Sequence, residues 1–193
     1  MTYNRTGMDP ELVKRAQHGD ERAFEALTIA THPRLFRVAF GILRDAEIAE
    51  DATQQAFIDS WRFLRRLGER AHFEAWTCHW LIEACQDKAE PPTDHEDGDS
   101  SGPGFMPSAP DPFGVVVDRD DLARGFRQLS FEDRAVLVLR YLAGYESADR
   151  AIALDLSVDE QEARLDSALA ALETALDGPA EPGPELVAQG EPA

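Results

Sequence analysis

The stretch from Ser130 to Asp177 constrains this chain most, because its helix starts and stops are spelled out residue by residue. Ser130 and Asp133 have the spacing of a capping box, in which a hydroxyl and an acid three residues on share the first free amides of a helix. They open the apolar run Ala135-Val136-Leu137-Val138-Leu139, and Gly144 is the expected stop. A short helix is predicted over about 148–154. Ser157 and Glu160 form a second capping box, and a long helix should run over 158–176. A helix, a short helix and a long helix separated by tight turns make a helix-turn-helix.

In readers of DNA the last helix of that motif enters the major groove and offers Arg, Lys, Asn or Gln to base edges. Here the last helix carries Asp159, Glu160, Glu162, Asp166, Glu173 and Asp177 against the single base Arg164. The architecture suggests DNA reading and the charge opposes it. Glu160 is accounted for by the capping box. Glu162 and Asp166 are like charges four residues apart, mildly destabilising on a helix, and read either as a solvated acidic face or as the mark of a saline environment or a basic partner.

The whole chain of 193 residues carries a net charge of −18, distributed unevenly. Residues 1–88 hold 14 acids and 12 bases, residues 89–117 six acids and no base, and residues 118–177 14 acids and seven bases. The front is near neutral and the back acidic. An acidic surface repels free nucleic acid and anionic membranes and attracts basic partners. No apolar run approaches the roughly 18 residues of a membrane span. The N-terminus lacks an apolar signal segment. The expected location is cytoplasmic, with no membrane association.

The front half reads as consecutive helices. One is predicted over 10–17. Asp20 should cap a second through about residue 30, and Pro33 should start a third ending at Leu43. Asp45 restarts the chain, and helices are expected over 48–67 and 72–88. Residues 89–114 hold six prolines, four glycines and six acids. Such a segment buries too little to offset its ordering entropy. The expected fold class is all-α: a helical bundle over 9–88, an extended acidic Pro/Gly-rich linker over 89–117, a helix-turn-helix domain over 118–177 opened by a helix near 118–128, and disordered ends over 1–8 and 178–193.

No arrangement for catalysis is present: no nucleophile elbow, no phosphate-cradling glycine loop and no metal-ligand spacing. Cys78 and Cys85 share a helix face seven residues apart without a C-x-x-C pair, so they read as buried thiols rather than a metal site. No cofactor and no enzyme activity are expected. Arg62, Arg65, Arg66 and Arg70, interleaved with Trp61 and Phe63, form the one basic cluster. It suits phosphate, an acidic partner, or simply solvent. Trp76 and Trp80 lie one turn apart. Core packing is favoured for Trp76, with stacking on unpaired bases as the alternative; Trp80 is core or interface.

Taken in order, several stretches resemble the extracytoplasmic-function (ECF) sigma factors of bacterial RNA polymerase. Ala49-Glu50-Asp51-Ala52-Thr53-Gln54-Gln55-Ala56-Phe57 with Trp61-Arg62 is similar to the family's second conserved region. Phe73-Glu74-Ala75-Trp76 resembles the start of its promoter-melting helix. Leu129 to Arg134, Leu139-Arg140-Tyr141, Gly144 and Arg164-Leu165 resemble its fourth region. Leu12-Val13, Gly19-Asp20 and Ala23-Phe24-Glu25-Ala26-Leu27 also fit.

The resemblance implies a protein that binds core RNA polymerase and meets promoter DNA only within that complex, with an anti-sigma factor as a further partner. It implies polymerase contact by Asp51, Gln54, Gln55, Phe57 and Trp61. A solvated helix face is the competing reading for Asp51 and Gln54. DNA contact is implied for Trp76, His79, Gln161 and Arg164. The chain departs from the pattern where DNA is read: Ile82 and Glu83 replace an Arg and an Asn, while Glu160 and Glu162 replace a Thr and a Lys. Each good base contact discriminates by about 1–3 kcal/mol. Losing two or three removes much of the ~4–10 kcal/mol separating specific from non-specific binding. The expected function is therefore transcription initiation through core polymerase with atypical or weakened promoter recognition. The rival is a sigma mimic that occupies an anti-sigma factor or polymerase without opening promoters.

Overall fold

The computed structural model describes residues 9–68, 72–89 and 119–177. The expected linker over 89–117 lies outside them apart from Ala89, as do both chain ends and Arg70. Every regular element among the described residues is helical. In chain order they are α1 (Pro10–Gln17), α2 (Glu21–Leu43), α3 (Ala46–Phe63), α4 (Phe73–Ala89), α5 (Arg119–Gln128), α6 (Phe131–Leu137), α7 (Ser147–Leu154) and α8 (Val158–Asp177). A 3₁₀ turn, Leu64–Arg66, follows α3, and a π-helical segment, Val138–Leu142, continues α6.

The caps read from sequence hold. Asp20 accepts from the Ala23 amide at the start of α2. Asp45, read from sequence only as the point where the chain restarts, also caps a helix: it accepts from the Glu47 and Ile48 amides at the start of α3. Ser130 Oγ accepts from the Asp133 amide at 3.1 Å. The box at α8 is reciprocal: Ser157 Oγ accepts from the Glu160 amide at 3.2 Å, and Glu160 Oε2 accepts from the Ser157 amide at 2.9 Å.

One expected break does not occur. The two helices anticipated on either side of Pro33 are a single 23-residue helix with the proline inside it. Proline removes one i→i−4 bond and crowds the preceding turn. Here tertiary burial on both sides overrides it, with Leu27, Thr31, Leu35, Val38 and Ala39 of the same helix all buried. The inward stripe continues through the proline, which itself faces solvent.

The second difference concerns the two halves. The sequence suggests domains held apart on a tether; the structure packs them against one another. One hydrophobic core contains Leu35, Val38 and Ile42 of α2, Ala52 and Ala56 of α3, and Cys78 and Leu81 of α4. It continues into Ala135, Val138, Leu139, Tyr145 and Ala153 of the second half. Gly41 permits this approach. A Cβ there would stand 2.8 Å from Leu142 Cδ2 and 2.9 Å from Val138 Cγ1. Separate smaller cores finish each half: Ala16, Leu27, Leu64 and Phe73 at one end, and Val136, Leu137, Leu165 and Ala168 at the other.

Because Pro33 is exposed, its backbone penalty is not offset by side-chain packing. Replacing it by alanine should raise stability by about 1–3 kcal/mol, measured by urea denaturation of the full chain. A loss of stability would show that α2 needs the proline's local geometry.

Candidate functional site

The outward face of α3 forms the first candidate surface. Inward residues Ala49, Ala52, Thr53, Ala56, Phe57 and Ser60 leave Asp51, Gln54, Gln55, Ile58, Trp61 and Arg62 outside. Gln54 Nε2 donates to Glu50 Oε1 at 3.3 Å, and Gln55 Nε2 to Asp59 Oδ2 at 2.6 Å. Asp51 stands 3.9 Å from Lys88 Nζ. Trp61 is 38% exposed and rests on the Phe24 ring at 4.8 Å.

Phe57 does not belong to this surface. It is buried, its ring parallel to that of His32 at 6.2 Å. Its period places it with Ala49 and Ala56 on the core side, so the expected polymerase contact by Phe57 is corrected to a packing role. Ile58, which the resemblance does not place among the polymerase contacts, is 54% exposed. An apolar residue at an outward position between Gln54 and Trp61 was the available signal.

The second surface is the helix-turn-helix, and it is organised by Arg150. This side chain is 2% exposed. Its Nε donates to Gln161 Oε1 at 2.7 Å, its Nη1 to the Tyr145 carbonyl at 2.8 Å, and its Nη2 to Glu162 Oε1 at 2.9 Å. Ser147 Oγ also donates to Glu162. Gln161 is fully buried, with Nε2 donating to the Val158 carbonyl at 3.0 Å. The expected DNA contact by Gln161 is therefore corrected: both ends of its amide are engaged inside the protein.

Glu162, unexplained by sequence alone, partners the buried Arg150. Hydrogen bonding from Ser147 foremost, with further help from Gln161 and the Arg150 charge, holds its carboxyl below the usual 4.5. Burial lowers the Arg150 pKa, and the Glu162 charge opposes that shift. The exposed start of α8 is then Val158, Asp159, Glu160, Ala163, Arg164, Asp166 and Ser167. Arg164 is solvent-facing as expected, with Nη1 3.8 Å from Asp133.

Trp76 and His79 lie together on α4 but do not open onto free solvent alone. With Arg66 and Trp80 they line one wall of a cleft of about 440 Å³, whose other wall is Ala151, Ile152, Asp155 and Leu156 of α7 and its C-terminal turn. Trp76 also packs against the core around Leu64 and Phe73. Trp80 stacks on Phe63 at 4.8 Å and meets Trp76 edge-on at 5.9 Å. Both thiols are buried, and desolvation pushes each up to about 12, so they are unreactive. Among the described residues no cluster could hold a metal ion, and no helix is long and apolar enough to cross a membrane.

Residues 28–90 match the Sigma-70 region 2 family. The chain is 30% identical to the ECF RNA polymerase sigma factor SigM of Mycobacterium tuberculosis over 148 residues, spanning 74% of this chain and 71% of SigM. The chain belongs to the ECF sigma factors. It is also 25% identical to the RNA polymerase sigma-H factor of Pseudomonas aeruginosa over 181 residues, 87% of this chain and 93% of that one. In fold it is similar to CnrH, solved with the cytosolic domain of CnrY. The TM-score is 0.63 at 24% identity, covering 88% of this chain and 97% of that one. It is likewise similar to the sigma factor RpoE of Bartonella quintana, solved with the anti-sigma factor NepR. There the TM-score is 0.57 at 19% identity, covering 80% and 97%. The region 2 match covers α3 and α4 entirely, so both candidate faces of the first half lie within it.

Two variants test the Arg150 network. Arg150→Met should destabilise the full chain by roughly 3 kcal/mol, because it leaves buried acceptors unpaired. Glu162→Gln should cost stability at neutral pH. A lowered carboxyl contributes stability that is complete above its unfolded value and lost as pH falls through the folded one. The gap between Glu162→Gln and the parent should therefore close below about pH 4.5. A gap that does not change with pH would show that charge is not what Glu162 supplies.

Proposed function

We propose that this ECF sigma factor acts in transcription initiation by binding core RNA polymerase through the outward face of α3, and that it reads promoter DNA weakly through α8. The observation that carries the reading is the contrast between these surfaces. The α3 face presents Asp51, Gln54, Gln55, Ile58 and Trp61 to solvent. It joins polar groups to an exposed aliphatic and an exposed tryptophan, the composition of a protein-binding patch. The relatives named as RNA polymerase sigma factors support the polymerase as the partner.

The α8 face supports the weakened readout. Of its exposed first turns only Arg164 is basic, while Asp159, Glu160 and Asp166 would approach phosphates. With Gln161 engaged by Arg150 and Val158, one basic side chain is left for base edges. Polymerase can supply affinity that this helix lacks, but not base readout by it. Trp76 and His79 on α4 are the proposed promoter contacts of the first half. The protein works by binding, without chemistry of its own, and is expected in the cytoplasm.

A decoy that engages an anti-sigma factor or polymerase without opening promoters is the second reading. The acidic α8 face favours it, and the structural relative solved with NepR shows that a protein of this fold takes such a partner.

Replacing Ile58 and Trp61 together by alanine should weaken binding to core polymerase by tenfold or more, read by fluorescence anisotropy; unchanged affinity would remove the α3 assignment. The free protein should not retard duplex DNA at physiological salt. Asp159→Lys with Asp166→Arg should create non-specific duplex binding whose salt slope steepens by roughly one per added phosphate contact. No gain would mean that α8 does not face DNA.

A further inference from the structure

The basic cluster of the first half has no part in the surfaces assigned above, and two of its arginines lie on the turn that follows α3. Helix α3 ends at Phe63, and a helix end leaves its last carbonyls without partners inside the helix. The chain tightens there into the 3₁₀ turn Leu64–Arg66, closed by the Leu67 amide donating to the Leu64 carbonyl at 3.1 Å. Two carbonyls of this turn are met from a helix distant in the chain. Gln17, the last residue of α1, donates through Nε2 to the Leu67 carbonyl at 2.9 Å and to the Leu64 carbonyl at 3.4 Å. Leu64 and Leu67 are themselves buried beside Ala16, Leu27 and Phe73. Two leucines and one amide thus fix the inner side of the turn, and Arg65 and Arg66 are exposed on its outer side. Arg62, one turn earlier, is paired with Asp59 at 3.2 Å.

Arg66 heads a row of rings. Its guanidinium lies 4.9 Å over the Phe63 ring, and Phe63 stacks on Trp80 at 4.8 Å. Trp80 in turn meets His79 at 5.2 Å and Trp76 at 5.9 Å. Arg66, Trp76, His79 and Trp80 share one wall of the cleft beside α4. Cations that track phosphates, set beside aromatic faces on which bases stack, are the two parts of a single-strand binding surface. An acidic polypeptide would engage the arginines and leave the rings unused. A merely solvated basic turn would need neither the rings nor the tie to α1.

We propose that Arg65 and Arg66 bind phosphates of an unpaired DNA strand whose bases stack on Trp76 and Trp80, and that Gln17 is the positioning residue that holds both arginines in place from α1. The contact is sequence-tolerant, because guanidinium–phosphate and ring–base contacts read no base edge. The inference rests on the reading of α4 as promoter-facing. It adds to that reading a phosphate-binding turn whose geometry is set by a residue nearly fifty positions away in the chain.

The test uses the full chain assembled with core polymerase and a fluorescent single strand of about 16 nucleotides. Affinity is read by anisotropy against core polymerase alone across a salt series. Each phosphate contact on a single strand contributes about 0.7 to the slope of log K against log salt. Arg65→Ala with Arg66→Ala should therefore lower the slope by roughly 1.4. Gln17→Met keeps the side chain's length and loses its donors. It removes no charge, yet it should lower the slope by about 0.7, as one misplaced arginine would, with circular dichroism and affinity for core polymerase unchanged. A destabilised fold would reduce the bound fraction and leave the slope in place, so the slope separates positioning from stability. Gln17→Ala repeats the measurement if Gln17→Met fails to fold. A strand of rearranged sequence should bind within about threefold of the first.

An unchanged slope in the double arginine variant would overturn the phosphate site. A slope lowered there but unchanged on replacing Gln17 would overturn the positioning role, and a tenfold preference between the two strands would overturn the sequence tolerance. Trp76→Ala separates this proposal from the reading beneath it. If Trp76→Ala weakens strand binding by about fivefold or more while the arginine variant changes nothing, α4 keeps its promoter-facing role and only the turn loses its own. If neither changes, or if the assembled complex binds the strand no better than core polymerase alone, the reading of α4 falls and the role of the turn falls with it.

Discussion

The buried guanidinium of Arg150 is the interaction on which the second half depends. It ties α7 to α8 through Gln161 and Glu162 and holds the carbonyl of Tyr145. A buried cation is tolerated only when its donors are met, and here a carboxylate, an amide oxygen and a backbone carbonyl meet them. By fixing the Tyr145 backbone, the same group fixes where the Tyr145 ring enters the first half. A chain of polar contacts thus runs from the acidic helix α8, through Arg150 and Tyr145, to Glu74 and Arg34 between α4 and α2. The geometry of the helix-turn-helix and the closure of the two halves share one support.

That arrangement changes the meaning of the acidity in α8. Two of its acids have structural partners: Glu160 completes the helix cap and Glu162 neutralises Arg150. The carboxylate at residue 162 thus has a structural partner, and a lysine there would stand against a buried arginine. Asp159, in the first turn, complements the helix N-terminus, and Asp166 is an exposed acid further along the helix. The proposed weakening of promoter readout rests on two features of different kind: exposed carboxylates that would repel phosphate, and a glutamine withdrawn into the interior.

In the first half, α3 divides its residues between two duties by helical period alone. Ala49, Ala52, Ala56 and Phe57 build the core against α2 and α4, while Gln54, Ile58 and Trp61 face out. Small alanines on the inner side let α2 and α4 pack closely and leave the outer side to solvent. The Sigma-70 region 2 match falls on this half of the chain.

Local chemistry was legible in the linear sequence. The caps at Asp20, Ser130 and Ser157 follow from hydroxyl and carboxylate side chains placed beside free amides, an effect confined to four residues. The buried thiols, the all-helical class, the exposed Arg164 and the outward Asp51 and Gln54 follow from spacing in the same way. Everything that needed a partner distant in the chain was not legible. Pro33 sits inside a helix because burial on both sides outweighs a local backbone penalty. Phe57 and Gln161 turn inward, and Ile58 outward, because neighbouring helices decide which side of each helix is dry. The contact of the two halves depends on Gly41 meeting Val138 and Leu142, and on Arg34 and Glu74 meeting Tyr145 from the far side of the acidic segment. The sequence by itself determined the helices and their caps, since those energies act over one turn. Only the tertiary structure decided which faces are buried and that the halves close, because those energies arise between residues that the chain keeps far apart.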